Sequence, residues 1–210
     1  MRLHYNPMSG NSRRVLMTAR HLGLPLELVP VDLAKREQRS PEFLRVNPNG
    51  RVPVLEDEGL VLTESRAIMQ YLADGTPGQT LYPTERAARA DVNRWLFWCG
   101  QHYSPAVAVL VYERVIKAIV GAGAPDPVEV ARGESQLTQA LTVLDAHLAG
   151  KTWVAQDRLT LADLSLATPL GMAEPARLPV GPYANVRAWL GRVKELEAWK
   201  KTAPNLPPGR

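Results

Sequence analysis

Three short stretches of this chain hold residues suited to chemistry. Ser9 stands in Tyr5-Asn6-Pro7-Met8-Ser9-Gly10-Asn11-Ser12, between a short apolar alternation and a helical stripe. A hydroxyl beside the free N–H groups of a helix start suits an oxyanion or a thiolate. Ser12 and Asn11 are placed to cap that helix, and Ser9, lying earlier, is left for a separate role. In Thr63-Glu64-Ser65-Arg66 a strand gives way to a helix with Ser65 at the capping position. Such a start accepts a carboxylate, and Glu64 beside it can hold an ammonium group. Together they fit an α-amino acid, although a plain N-cap accounts for the same residues. Val52-Pro53 puts a proline in an apparent strand. Either the bond is cis at a strand start, leaving the Val52 N–H and C=O for a ligand's backbone, or the proline is a trans residue of an edge strand.

Other chemistries find little support. There is no G-x-S-x-G elbow, and neither His4 nor His21 has the setting of a triad member. No metal-ligand spacing is present. The single cysteine, Cys99, permits no internal disulfide and lies on a helix within Arg94-Trp95-Leu96-Phe97-Trp98-Cys99-Gly100-Gln101-His102-Tyr103, where packing explains it. The net charge of +4 is dispersed along the chain, which speaks against nucleic acid and still favours the arrival of a small anion. The longest apolar run, 106–112, is too short to cross a bilayer, and the N-terminus lacks a signal-peptide core. With nothing that points to secretion, the cytoplasm is the default expectation.

Elements must position those residues. Leu3 and Tyr5 alternate as a strand, and Val15, Leu16, Ala19 and Leu22 form a helical stripe ended by Gly23 and Pro25. A second strand covers 26–31, and Ser40-Pro41 opens a short helix. Strands at 52–55 and 60–63 flank the loop Asp57-Glu58-Gly59, and a helix follows from Ser65. The order βαβαββα makes an α/β domain over residues 1–76. A Gly- and Pro-rich linker, 77–83, leads to an all-helical domain, 84–210. Helices are expected over 84–101, from Ser104-Pro105 to Gly121, from Asp126-Pro127 to Gly150, over 160–168 and over 185–199. Trp95 and Trp98, three apart on one helix, form either core or part of an apolar wall. His102 and Tyr103 could face a cleft between the domains.

Taken in order, Tyr5-Asn6-Pro7-Met8-Ser9, Asn47-Pro48-Asn49-Gly50-Arg51-Val52-Pro53 and Glu64-Ser65-Arg66-Ala67-Ile68 resemble the thioredoxin-like domain of soluble glutathione S-transferases. The likeness is strongest to the serine-using phi, theta and delta types and their bacterial relatives. It continues through Thr160-Leu161-Ala162-Asp163, similar to the family's buried capping box, and through Val186-Arg187-Ala188-Trp189-Leu190 to Trp199-Lys200. The resemblance implies a thioredoxin-like N-terminal domain and a helical C-terminal one. It implies glutathione as co-substrate without a metal, transfer to a small, mostly apolar electrophile, and a homodimer. Ser9, with Asn11 as alternative or partner, would hold the sulfur as thiolate. Val52 would pair its backbone with the cysteinyl unit over a cis Pro53, and Glu64 and Ser65 would hold the γ-glutamyl end. Arg39, Arg51 and Lys35 are candidate cations for the glycyl carboxylate. Trp98, His102 and Tyr103 are candidates for the electrophile site. Glutathione-dependent disulfide or peroxide reduction, dehalogenation, and a non-catalytic binding module are the alternatives.

Overall fold

A computed structural model describes residues 1–203. Residues 204–210, the end of the expected helical domain, lie outside the described residues. The chain divides into two compact units, residues 1–79 together with the segment from Leu196, and residues 80–195.

The first unit is built on a four-stranded sheet in the order β2-β1-β3-β4. The strands are β1 (Arg2–Tyr5), β2 (Glu27–Pro30), β3 (Val54–Asp57) and β4 (Leu60–Leu62). β1 runs parallel to β2 and antiparallel to β3, and β3 runs antiparallel to β4. A parallel pair requires a crossover, which α1 (Gly10–His21) supplies. Antiparallel β3 and β4 need only a tight turn. Glu58 and Gly59 form it with φ of 45° and 89°, the doubly positive geometry that matches strand twist. α2 (Pro41–Val46) begins as expected, with the Ser40 hydroxyl accepting from Phe43 N at 3.1 Å. α3 (Ser65–Asp74) packs against α1. Leu3, Val15, Met17, Leu55, Ile68 and Met69 are all fully buried in this unit.

The second unit is helical. One continuous helical path runs through α4 (Arg86–Trp98), a π-helical turn (Cys99–Tyr103), α5 (Ser104–Val111), a second π-helical turn (Tyr112–Ile116) and α6 (Lys117–Val120). The expected break at Ser104-Pro105 is absent. Proline normally stops a helix because it lacks an N–H and its ring presses on the carbonyl one turn back. Here the wider turn before it, closed by Ser104 N–H to the Cys99 carbonyl, admits Pro105 without ending the path. α7 (Pro127–Leu148) is capped by Asp126, whose carboxylate accepts from Val128 N at 2.8 Å. It crosses α5 at Gly133, where an added Cβ would stand 3.0 Å from Leu110 Cγ. α8 (Leu161–Ala167) is buried along its whole length, and α9 (Ala184–Glu195) follows.

Two boundaries differ from the sequence reading. The Gly/Pro-rich linker is not a free tether over its whole length. Leu81 and Tyr82 are buried, and the Leu81 carbonyl accepts from Leu161 N at 3.0 Å. The last expected helix, 185–199, is broken at Leu196, whose backbone is extended with ψ 134°. The short α10 (Glu197–Lys200) beyond it packs on α1 and belongs to the first unit.

Candidate active site

The sheet register gathers the chemical residues. β1 ends at Tyr5, opposite the start of β3, since His4 pairs with Val54. β4 ends at the same side, because Leu62 pairs with Leu55. β2 is parallel to β1, and its continuation Val31 N donates to the Tyr5 carbonyl at 2.8 Å. So the loops carrying Ser9, Arg39, Val52-Pro53 and Glu64-Ser65 all leave from one end of one sheet. Four segments distant in sequence are brought together by strand pairing alone.

Ser9 is itself the N-cap of α1, contrary to the expectation that Ser12 or Asn11 would fill that place. Its Oγ accepts from Ser12 N at 3.2 Å. The Ser12 hydroxyl is occupied elsewhere and accepts from Asn6 N at 3.2 Å. Capping uses a lone pair of the Ser9 oxygen, and its proton stays available to donate. The loop before it is tied by Asn6. Its Oδ1 accepts from Met8 N at 2.9 Å, its Nδ2 donates to the Val31 carbonyl at 2.9 Å, and its own carbonyl accepts from Ser9 N at 3.0 Å. Asn11 is exposed in the first turn, and its side chain has no hydrogen-bond partner among the described residues.

The Val52-Pro53 bond is cis. The Val52 side chain packs with Val31, Phe43 and Val54. Its main-chain N–H and C=O have no hydrogen-bond partner among the described residues. The preceding loop is organised by buried Asn47, whose Nδ2 donates to the Arg51 carbonyl at 2.7 Å and whose Oδ1 accepts from Asn49 N at 3.0 Å. Asn6 and Asn47 thus do the same work, each bonding the backbone two residues on. Sequence reasoning passed over both, although the repeated Asn-Pro doublet was the signal.

At α3 the expected cap is also corrected. Ser65 is the first helical residue, and Glu64 holds the N-cap place without a side-chain bond. Glu64 has φ 65°, a left-handed conformation uncommon for a non-glycine residue and concentrated at ligand sites. The Ser65 hydroxyl is without a partner among the described residues. The first turn of α3 carries no acidic side chain, so this helix start is open to an anion.

Of the candidate cations, Arg39 lies over Gly50 and directs Nη1 toward the Asn49 carbonyl at 3.5 Å. Lys35 sits 3.6 Å from Asp32, and Arg51 is exposed. A Cβ at Gly50 would stand 2.8 Å from both Arg39 Nη1 and the Gln38 carbonyl oxygen, and φ there is 58°. Gly50→Ala is expected to cost about 1–2 kcal/mol through the positive φ and the backbone clash. Denaturant unfolding should show it as a lowered midpoint with an unchanged slope.

In the helical unit, Trp98 and His102 line an open cavity of about 380 Å³ with Pro105, Gln136 and Val143. Tyr103 does not join them. It is fully buried, stacked on Trp98 at 5.8 Å, with a hydroxyl that meets no partner among the described residues and is pushed well above the usual phenol range by burial. The π-helical turn rotates it inward, which α-helical spacing from Trp98 could not foretell. Cys99 is also buried, with Sγ 3.3 Å from Ser104 Oγ.

Comparison with known proteins meets this geometry. Residues 1–74 match the N-terminal domain family of glutathione S-transferase, and residues 127–192 match the C-terminal domain family. Glutathione S-transferase 3 of Zea mays is 37% identical over 99% of this chain and 95% of its own length. The crystal structure of glutathione transferase F7 from Populus trichocarpa superposes with a TM-score of 0.89 at 33% identity, covering 96% of this chain and 97% of that one. A structure of glutathione S-transferase-I bound with lactoylglutathione superposes with a TM-score of 0.86 at 30% identity, covering 96% of this chain and 97% of the other. With both domain families matched in order and full-length relatives above 30% identity, the chain belongs to the glutathione S-transferase family.

Proposed function

We propose that this chain is a serine-type glutathione transferase, in which Ser9 donates its hydroxyl proton to the glutathione sulfur and favours the thiolate. One observation carries the reading. At a single end of the sheet stand, among the described residues, a serine whose proton is unspent, a residue whose main chain is unpaired and a helix start without a side-chain cap. These are the partners a thiolate, an extended peptide backbone and a carboxylate require. Val52 pairs with the cysteinyl unit, and Ser65 and the first amides of α3 take the γ-glutamyl carboxylate. Glu64 takes its ammonium, and Arg39 with Arg51 takes the glycyl carboxylate.

The thiolate attacks an electrophilic carbon, forming the C–S bond as the leaving group departs or the acceptor double bond takes up the electron pair. Glutathione supplies the nucleophile, and no step in this scheme calls on a metal. A free thiol titrates near 8.5, so stabilising its anion is the enzyme's principal task. Trp98 and His102 offer an apolar and a polar wall for the acceptor. Phe97 on α4 and Val143 on α7, 69% and 51% exposed, leave apolar surface on the helical unit, which suits a homodimer in the cytoplasm.

Calorimetry with glutathione tests the reading, paired with ultraviolet titration of the bound thiol. Binding with thiolate formed below the free thiol's pKa is expected, and no heat with no thermal shift would overturn it. Turnover of a chloronitroarene set against a hydroxyethyl disulfide separates transfer from reduction. Sedimentation velocity reads the dimer.

A further inference from the structure

Arg13 lies in the first turn of α1, one turn beyond Ser9, with its N–H bonded to the Ser9 carbonyl at 2.9 Å. A cation there opposes the helix dipole, which favours positive charge at the other end. The first turn carries no acidic side chain to offset it. Yet Arg13 is only 5% exposed. Its guanidinium lies 3.9 Å over the Trp199 ring, Nη2 donates to the Trp199 carbonyl at 3.2 Å, and Nε reaches Thr202 Oγ1 at 3.5 Å. Every one of these partners is neutral.

Among the described residues no carboxylate lies within ion-pair distance of Arg13. The acid of α10, Glu197, bonds Lys201 at 2.6 Å, and the other charges there, Lys200 in the helix and Lys201 at its C-cap, are basic. α3, the other helix packed on α1, carries Arg66 and Asp74, neither paired with Arg13. α1 itself adds Arg14, Arg20 and His21, all basic. Burial lowers the Arg13 pKa to about 10, which leaves it charged at neutral pH.

A buried cation without a counter-ion is costly, and proteins retain such violations of local rules where a ligand completes them. We propose that Arg13 is an unneutralised charge which, acting through the field at the start of α1, helps hold the bound glutathione sulfur as thiolate. This rests on the Ser9 reading and adds a residue that touches neither sulfur nor acceptor. As a general scale, a unit charge about 10 Å from an acid, at an effective dielectric constant of about 20, moves that acid by about one pKa unit.

The test is the ultraviolet titration of bound glutathione in Arg13→Gln, Thr202→Asp and Ser9→Ala. Arg13→Gln removes the charge, while Thr202→Asp keeps the guanidinium and sets a carboxylate against it. Both are expected to raise the thiol pKa by about one unit, Thr202→Asp without loss of thermal stability. A packing role alone predicts a lower Tm for Arg13→Gln and an unmoved titration curve for Thr202→Asp, and that result overturns the proposal. Should Arg13→Gln fail to fold, Thr202→Asp still decides. If Ser9→Ala shifts the curve and Thr202→Asp does not, the inference about Arg13 fails and the Ser9 reading stands. If the parent forms no thiolate on binding glutathione, the Ser9 reading fails and takes this one with it.

Discussion

Replacing Ser9 by alanine is expected to lower glutathione conjugation near neutral pH by about 10- to 100-fold while glutathione still binds, because a charge-assisted hydrogen bond contributes about 1.5–3 kcal/mol. That energy corresponds to about 1–2 pKa units of the bound thiol. The sign follows from which state gains. The hydroxyl stabilises the anion, so removing it raises the thiol pKa and the thiolate population falls at any pH below the new value. Above both values the populations converge, so the deficit in kcat/KM shrinks as pH rises. The alanine variant also loses the bond from Ser12 N to Ser9 Oγ, a cap worth about 1 kcal/mol. Ser9→Asp separates the two roles. Aspartate caps a helix as well as serine does, so stability should hold, but its charge would repel the thiolate and activity should fall at least as far as in the alanine variant. A pH–rate profile for each variant checks this. An alanine profile that coincides with the parent's would move the role to Asn11 or to the main-chain amides.

Much of this site is legible in the sequence because its residues sit where elements change. Gly23, Ser40-Pro41, Glu58-Gly59 and Thr160-x-x-Asp163 punctuate the chain through backbone requirements local to a few residues, and the structure follows them. Ser9 and Ser65 were legible as helix-start residues, but which serine caps was not. That choice turns on one residue of register: α1 begins at Gly10, so Ser9 caps, while α3 begins at Ser65, which leaves Ser65 inside. The hidden features are long-range. Whether Tyr103 faces a cavity depends on a π-helical turn, and whether Arg13 meets an acid depends on α10, 186 residues away at Trp199. Periodicity describes one element at a time and cannot report the partner that packs against it.

The largest loss of stability is expected at Asp163. Its side chain is fully buried, and each carboxylate oxygen accepts two hydrogen bonds. Oδ1 receives Val154 N at 2.8 Å and Trp189 Nε1 at 2.9 Å, and Oδ2 receives Thr160 N at 2.9 Å and the Thr160 hydroxyl at 3.0 Å. Burial raises the carboxyl pKa and the four donors oppose it. Three segments meet on this one group: the 150s loop, the start of α8, and α9 through Trp189. Asp163→Asn keeps the shape but turns one oxygen into an NH₂, which then faces two donors with a donor of its own. Because the hydroxyl can rotate and the two backbone amides and the indole cannot, at least one buried N–H is left unpaired in either orientation of the amide. A cost of about 3–5 kcal/mol is expected, as for breaking a buried charged network. For a chain of this length that is a fall in Tm of roughly 6–20 °C, since about 1 kcal/mol moves Tm by about 2–4 °C. Trp189→Phe removes a single donor and should cost less than Asp163→Asn. Differential scanning calorimetry of Asp163→Asn, Trp189→Phe and the double variant would show the coupling, because a shared network makes the two losses less than additive. Additive losses would mean that the carboxylate and the indole stabilise the fold independently, and the account of Asp163 as the point joining these segments would be wrong.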